Sequence, residues 1–404
     1  MPANACVTPS SATLGPRQMT GEHLQPIAST DVTALSSRTR QIARGVWRLA
    51  SARMTAGNRV RLLHDGPETF DTMIGAIESA REQVVLESYI VRPDAVGRRF
   101  SETLRSVAER GVRVRMLVDG IGSRSTPRRF WDELRVGLVD VRIFNRIGWR
   151  PWFGLVPRDH RKLLVVDERI GFTGGFGLGE EWDPARPESG PPRQWRDTAV
   201  EIDGPAARDM HRAFERMWER TARRSASAPP LEEHLNRPGP PLTDGGALVA
   251  IVEGEPWKLR VARGLQVQSV LAERSIWIAT AYFIPSFVEI EGLTGAARDG
   301  VDVRLLLPSK NDHPWVTRLA RRFYPNLLRS GVRIWEWGGV MMHAKTTVVD
   351  GRWVRVGSTD LNPLGFAVNY ELDAIIDDPD LGEDAEAMFL ADLERSREIV
   401  AESV

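Results

Sequence analysis

HRKLLVVD (160–167) returns with its spacing intact as HAKTTVVD (343–350). Each copy reads His-x-Lys-x4-Asp and ends in an apolar run of strand length. Working outward, VRIFN (141–145) precedes the first copy as VRIWEW (332–337) precedes the second. VVLESYIV (84–91) and VRVRMLVDG (112–120) are answered by SIWIATAYFI (275–284) and VDVRLLLP (301–308), with helix-like segments such as 98–110 between the runs. Strands alternating with helices predict βαβ units and an α/β fold of two similar lobes. Each lobe is expected to hold a mostly parallel mixed β-sheet flanked by helices. SASAPP (225–230) and RPGPP (237–241) mark 223–246 as a linker, giving lobes at 58–222 and 247–404.

The composition narrows the function classes. With 404 residues, 42% hydrophobic and 27% charged, the chain is globular rather than disordered or fibrous. Lys+Arg and Asp+Glu both number 54, so no global field draws it to nucleic acid. Cys6 is the single cysteine, which excludes an intramolecular disulfide. No apolar run of about 18 residues is present to span a bilayer, and no secretory signal is visible. Residues 1–35 read as a mobile tail, and 36–57 as a basic amphipathic helix. There Ile42, Val46, Leu49 and Ala50 share one side, amid Arg38, Arg40, Arg44, Arg48 and Arg53.

Residues two apart on a strand share a face, so His160 and Lys162 project together, as do His343 and Lys345. Only four of the 54 cationic side chains are lysines (Lys162, Lys258, Lys310 and Lys345), and two of them sit in the motif. A compact ammonium is thus wanted there. Glycine turns follow both copies, TGG (173–175) and VGS (356–358), whose N–H groups can meet an anion. Phosphodiester exchange explains the duplication. One neutral imidazole attacks phosphorus, the other protonates the departing alkoxide, and two ammonium groups balance the charge on the non-bridging oxygens. No metal and no other cofactor is called for.

These residues resemble the phospholipase D superfamily, and within it the bacterial cardiolipin synthases, over roughly Asn58 to Val400. ESYIV (87–91), RGVRVRMLVDGIGS (110–123), FTGG (172–175), WRD (195–197), AYFIP (281–285) and NPLGFAVNYEL (362–372) carry the likeness beyond the motif. The resemblance implies two phospholipase D-like lobes related by a pseudo-two-fold, sharing one active site, with a phosphohistidine intermediate and transfer of a phosphatidyl group between phospholipids. Carried over, His160 is the favoured nucleophile and His343 the acid and base, while Lys162 and Lys345 grip phosphate. Asp167 and Asp350 complete the motif and support its local structure. Gly174, Gly175 and Ser358 line the phosphate turns. Asn369 and Glu371 match the family's Asn-x-Glu, whose carboxylate orients an imidazole. Counting back from GP (204–205) and DP (378–379) makes Asp197 the counterpart of Glu371; a surface ion pair with Arg196 is the plainer reading of Asp197.

Two departures stand out. Gly177 and Asp360 occupy positions where the family usually has Asn; the first offers no side-chain hydrogen bond, and the second brings a negative charge near phosphate unless it is paired. The N-terminal pair of transmembrane helices carried by many members is also missing. Membrane contact is therefore expected from the 36–57 helix, which reads equally as a helix packed on the body, or from the surplus of the first repeat, within Gly148–Asp159. There Trp149, Trp152 and Phe153 lie beside arginines, and an apolar loop capping the core is the plainer reading. Tyr282, Phe283 and Phe287 are read either as an acyl pocket or as core. The expected partners are phospholipids, with phosphatidylglycerol foremost, and an anionic membrane surface, but no nucleic acid. The expected location is peripheral, on the cytoplasmic face of the cell membrane. A phospholipase D-type hydrolase is the nearest rival, followed by a nuclease of the superfamily and an inert lipid-binding scaffold. Oligomeric state is left open.

Overall fold

The computed structural model describes residues 27–28, 36–145, 156–184, 194–222 and 246–400. Most of the expected tail, the linker up to 245, and Trp149, Trp152 and Phe153 lie outside the described residues.

The first lobe contains β1 (Ile27–Ala28), β2 (Met54–Leu63), β3 (Gln83–Ser88), β4 (Arg113–Asp119), β5 (Asp140–Phe144), β6 (Leu163–Val166), β7 (Ile170–Gly174) and β8 (Ala199–Asp203). The second contains β9 (Ala247–Gly254), β10 (Ser275–Ala279), β11 (Asp302–Pro308), β12 (Arg333–Trp337), β13 (Thr346–Val349), β14 (Trp353–Gly357), β15 (Glu371–Asp377) and β16 (Ser396–Ile399). Hydrogen bonding runs β16-β12-β11-β10-β13-β14-β15-β9-β2-β8-β7-β6-β3-β4-β5, so β2 joins the two lobes, and β1 pairs with β2. Each half repeats the same seven-strand order, as the internal duplication requires, and the second adds β16 beside β12.

The expectation of mostly parallel sheets needs correction. Beyond the short β1–β2 pair, parallel ladders are confined to β3–β4–β5 and β10–β11–β12. The other ladders among the described residues are antiparallel. The cause is the connections: helical crossovers such as Ala95–Glu109 permit parallel neighbours, whereas tight turns at Asp167 and Asp350 force β6–β7 and β13–β14 to be hairpins. Both aspartates sit at positive φ, 50° and 55°, a region that Asp tolerates better than most side chains.

β3 and β10 are buried along their whole length, which fits uninterrupted apolar runs covered on both faces. The core between the lobes is built around the helix Ala206–Ala222. Its Met210, Phe214 and Met217 pack with Val85, Leu163 and Val200 of one lobe and Val249, Val348 and Leu372 of the other. A fully buried side chain of this size contributes about 1.5–3 kcal/mol, so the lobes are held as one body.

The amphipathic segment is shorter than 36–57. The α-helix runs Ser37–Gly45, a π-helical turn follows at Val46–Ala50, and β2 has begun by Met54. Its apolar side is not free: Ile42, Ala43, Val46 and Ala50 are buried in the second lobe's core with Val261, Leu265 and Val267. Arg38 pairs with Asp350 and with Glu273.

Candidate active site

β6 and β13 run against the parallel strands beside them, so the residues preceding each lie at the edge where those parallel strands end. His160 and Lys162 occupy this approach segment just before β6, and His343 and Lys345 the one before β13. The motif residues therefore precede the strand rather than lie within it. The backbone is still extended, and the alternation holds: Arg161, between His160 and Lys162, points away to Glu253 and the Ala213 carbonyl.

Each approach segment is tied to the other lobe. The His160 N–H donates to the Tyr370 carbonyl at 2.9 Å, and the His343 N–H to the Arg196 carbonyl at 2.7 Å. The next residue along each partnering strand is a carboxylate. Glu371 meets His160 Nδ1 at 3.0 Å, and Asp197 meets His343 Nδ1 at 2.7 Å. Every imidazole is thus oriented by an acid from the opposite lobe, which brings both motifs to one place. Asp197 makes no side-chain ion pair with Arg196; the Arg196 guanidinium instead pairs with Asp392 at 2.9 Å.

The two acids are held differently. Glu371 accepts from the Ser358 hydroxyl at 2.5 Å, with the Asn369 amide at 3.5 Å. Asp197 accepts from the Trp182 indole at 2.8 Å and from the Thr198 N–H at 2.9 Å. A Cβ on Gly175 would lie 2.1 Å from the Asp197 carboxylate, so this glycine is the space that Asp197 fills. The Gly175–Asp197 and Ser358–Glu371 pairs are solutions of complementary size. Gly174 packs as closely, with room for no Cβ against the Thr198 carbonyl.

Both departures from the usual pattern find partners. Asp360 pairs with Lys345 at 3.3 Å and accepts the Ala281 and Tyr282 N–H groups at 3.1 Å. Gly177 leaves room for Trp182, whose ring would stand 2.8 Å from an added Cβ. Trp182 and Trp195 flank His343, with ring centroids 5.6 and 5.5 Å away. Tyr89 meets His160 edge-on at 4.8 Å, and Tyr282 stands 6.1 Å from His343. Lys162 Nζ lies over Tyr89 at 5.4 Å, and Lys345 Nζ over Tyr282 at 5.6 Å. Sequence reasoning gave no role to Tyr89 or Trp182. The matching places of the tyrosines in ESYIV and AYFIP were a signal for the first; Trp182 has no repeat counterpart to betray it. Phe283 is core, whereas Phe287 is exposed.

Electrostatics bind the cluster together. Burial, then the Lys162 and Lys345 ammonium groups, hold His160 well below the usual histidine range, and the His343 charge acts on it too. Burial and Lys345 also lower His343, against the pull of Asp197. Burial brings Lys162 down to about 8 in spite of Glu371 nearby, and raises Glu371 to about 8 in spite of Lys162. His160, held the lower of the two, is the imidazole more readily left neutral, while Asp197 favours a proton on His343.

Asp167 and Asp350 are not brought to this cluster. They lie at the far end of their strands, roughly 16 Å from the lysines at about 3.3 Å per residue. Asp167 accepts the backbone N–H groups of Arg81, Glu82 and Gln83, and Asp350 those of Glu273, Arg274 and Ser275. Burial would raise both carboxyls, but these bonds outweigh it and hold them below the ordinary value. Among the described residues no group of three His, Cys, Asp or Glu side chains could hold a metal ion.

The comparisons agree with the two-lobed fold. The family model "Cardiolipin synthase, PLD-like domain" matches residues 73–218 and 270–393, one segment in each lobe. The chain is 32% identical to cardiolipin synthase A of Pseudomonas putida over 94% of its own length and 77% of that protein. It is 34% identical to cardiolipin synthase A of Pseudomonas aeruginosa over 86% of its length and 69% of that protein. Among solved structures, phosphatidylserine synthase of Haemophilus influenzae shares the fold, with a TM-score of 0.69, 14% identity and coverage of 89% of this chain and 92% of that one. Doubled lobes, paired imidazoles and a match in both halves lead to one assignment: the chain belongs to the cardiolipin synthase family of phospholipase D-like proteins.

Proposed function

We propose that this protein is a phosphatidyltransferase that passes a phosphatidyl group from one phospholipid to the headgroup hydroxyl of another, phosphatidylglycerol being the acceptor. The observation that carries this reading is the crossed pairing of His160 with Glu371 and His343 with Asp197. With Nδ1–H donated to an oxygen of the facing acid, each imidazole presents its Nε2 outward.

His160 Nε2 attacks the donor's phosphorus, and the bond to the headgroup oxygen breaks. The leaving alkoxide takes its proton from His343, which enters that step protonated. Lys162 and Lys345 offset charge on the non-bridging oxygens. In the second half-reaction neutral His343 removes the proton of the acceptor hydroxyl. That oxygen displaces His160 from phosphorus, and both imidazoles are restored. With phosphatidylglycerol as donor and acceptor, the products are cardiolipin and glycerol; with water as acceptor the product is phosphatidic acid. His160 is assigned the attack because its side chain is the more open, 15% exposed against 5% for His343.

No helix among the described residues is long and apolar enough to cross a membrane. The proposed setting is the surface of an anionic membrane, on its cytoplasmic face. Mass spectrometry after incubation with labelled phosphatidylglycerol tests the reading: labelled cardiolipin supports the transferase, labelled phosphatidic acid alone supports a hydrolase, and unchanged lipid overturns both.

A further inference from the structure

In the second lobe β10, β11 and β12 are parallel, and β14 and β9 run the same way because each lies two antiparallel steps further along the sheet. The segments that follow all five strands therefore emerge at one edge, the edge that also carries His343, Lys345 and Glu371. Hydrogen bonds lace these segments together. Tyr282 donates to Asp312, Asn311 to the Ala281 carbonyl, Asn362 to the Tyr282 carbonyl, and the Trp257 N–H to the Ala367 carbonyl.

That edge is unusually apolar for a face turned outward. Trp257 is 69% exposed, Phe287 76%, Trp315 57%, Leu364 45% and Val340 43%. Among the described residues, every aromatic side chain counted with the exposed large apolar ones lies on it. Folding does not explain them: Trp257 even occupies the left-handed region, at φ 67°, where a bulky residue is disfavoured. Lys310 and Arg318, both exposed, bracket Trp315 in the sequence, and neither has a carboxylate partner among the described residues. Exposed aromatic rings beside unpaired cations match the interfacial layer of an anionic bilayer, where rings settle at headgroup depth and cations meet the negative lipid surface. The helix Ser37–Gly45 cannot take this role: its apolar side is buried, and Arg38 fastens it to Asp350 at the opposite edge.

We infer that this edge of the second lobe is a docking surface for an anionic phospholipid bilayer, with Trp257, Phe287, Trp315, Val340 and Leu364 entering the interfacial layer around the site's mouth. The choice of partner rests on the phospholipid-transfer reading above; the surface itself rests on the exposed side chains.

The test is co-sedimentation of the full chain with vesicles of phosphatidylcholine, with and without phosphatidylglycerol. Wild-type protein should sediment with the anionic vesicles. The combined variant W257S/F287S/W315S should bind at least tenfold more weakly, while turnover of a short-chain, water-soluble phosphatidylglycerol changes less than twofold. Single variants Phe287→Glu and Trp315→Glu, at positions that bury little, should each weaken binding should the combined variant fail to fold. Undiminished binding by the variants, or no binding by the wild type, overturns the inference. So does a solution dimer that the substitutions dissolve with vesicle binding intact, since the patch then serves a second copy. Soluble-substrate turnover reports on the catalytic reading and sedimentation on the surface, so the two fail separately.

Discussion

Gly177 and Asp360 occupy equivalent places in the repeat and do opposite things. Asp360 adds a carboxylate that pairs with Lys345. Gly177 removes a side chain so that Trp182 can reach Asp197, and through it His343. Restoring a side chain at 177 should thus be harmful: Gly177→Asn is expected to push Trp182 aside and lower kcat by about 10–100-fold, on the scale of a misplaced catalytic group. Wild-type kcat in that variant would show that the indole is not needed. Lys162 supports a second prediction. Its ammonium is, after burial, the largest cause of the lowered His160 pKa. Removing a neighbouring cation eases protonation, so in Lys162→Gln the midpoint of His160 should move upward in ring NMR titration. An unmoved midpoint would mean that the two groups are not neighbours.

Among the elements, the Asp167 and Asp350 turns illustrate what a motif can and cannot disclose. The His-x-Lys-x4-Asp spacing was legible, but a four-residue strand separates the aspartate from the lysine, so its shared motif is not a shared site. Asp350 gathers three backbone N–H groups, and its removal leaves them unpaired at a cost of about 1–3 kcal/mol or more. Its folded pKa is depressed, so its stabilisation is full above the unfolded value of about 3.9 and is lost as pH falls through the folded one. Asp350→Asn should accordingly melt below wild type at neutral pH, with the gap closing in acid; a gap constant with pH would refute the charged cap. The segment 36–57 was open to two readings, a lipid-facing helix or a helix packed on the body, for a related reason. Periodicity shows that a helix has an apolar side, but Ile42 and Val46 look the same in sequence whether lipid or Val267 covers them.

At the level of the whole molecule, strand runs and the duplicated motif made two lobes and one pair of imidazoles legible. What was not legible was the crossing: spacing tells which residues share a face within a lobe, never which lobe they meet. His160→Ala and His343→Ala should each lower turnover by at least about 10³-fold, as expected when one partner of a catalytic pair is lost, with circular dichroism and melting little changed. An active single variant would dissolve the idea of a common centre. The crossing also has a consequence for how the polypeptide is made. Translation delivers His160 long before Glu371 exists, so the unfinished chain carries a ring with nothing to fix its tautomer. A fragment that ends before Glu371 lacks the acid that orients His160, and is expected to transfer no labelled phosphatidyl group.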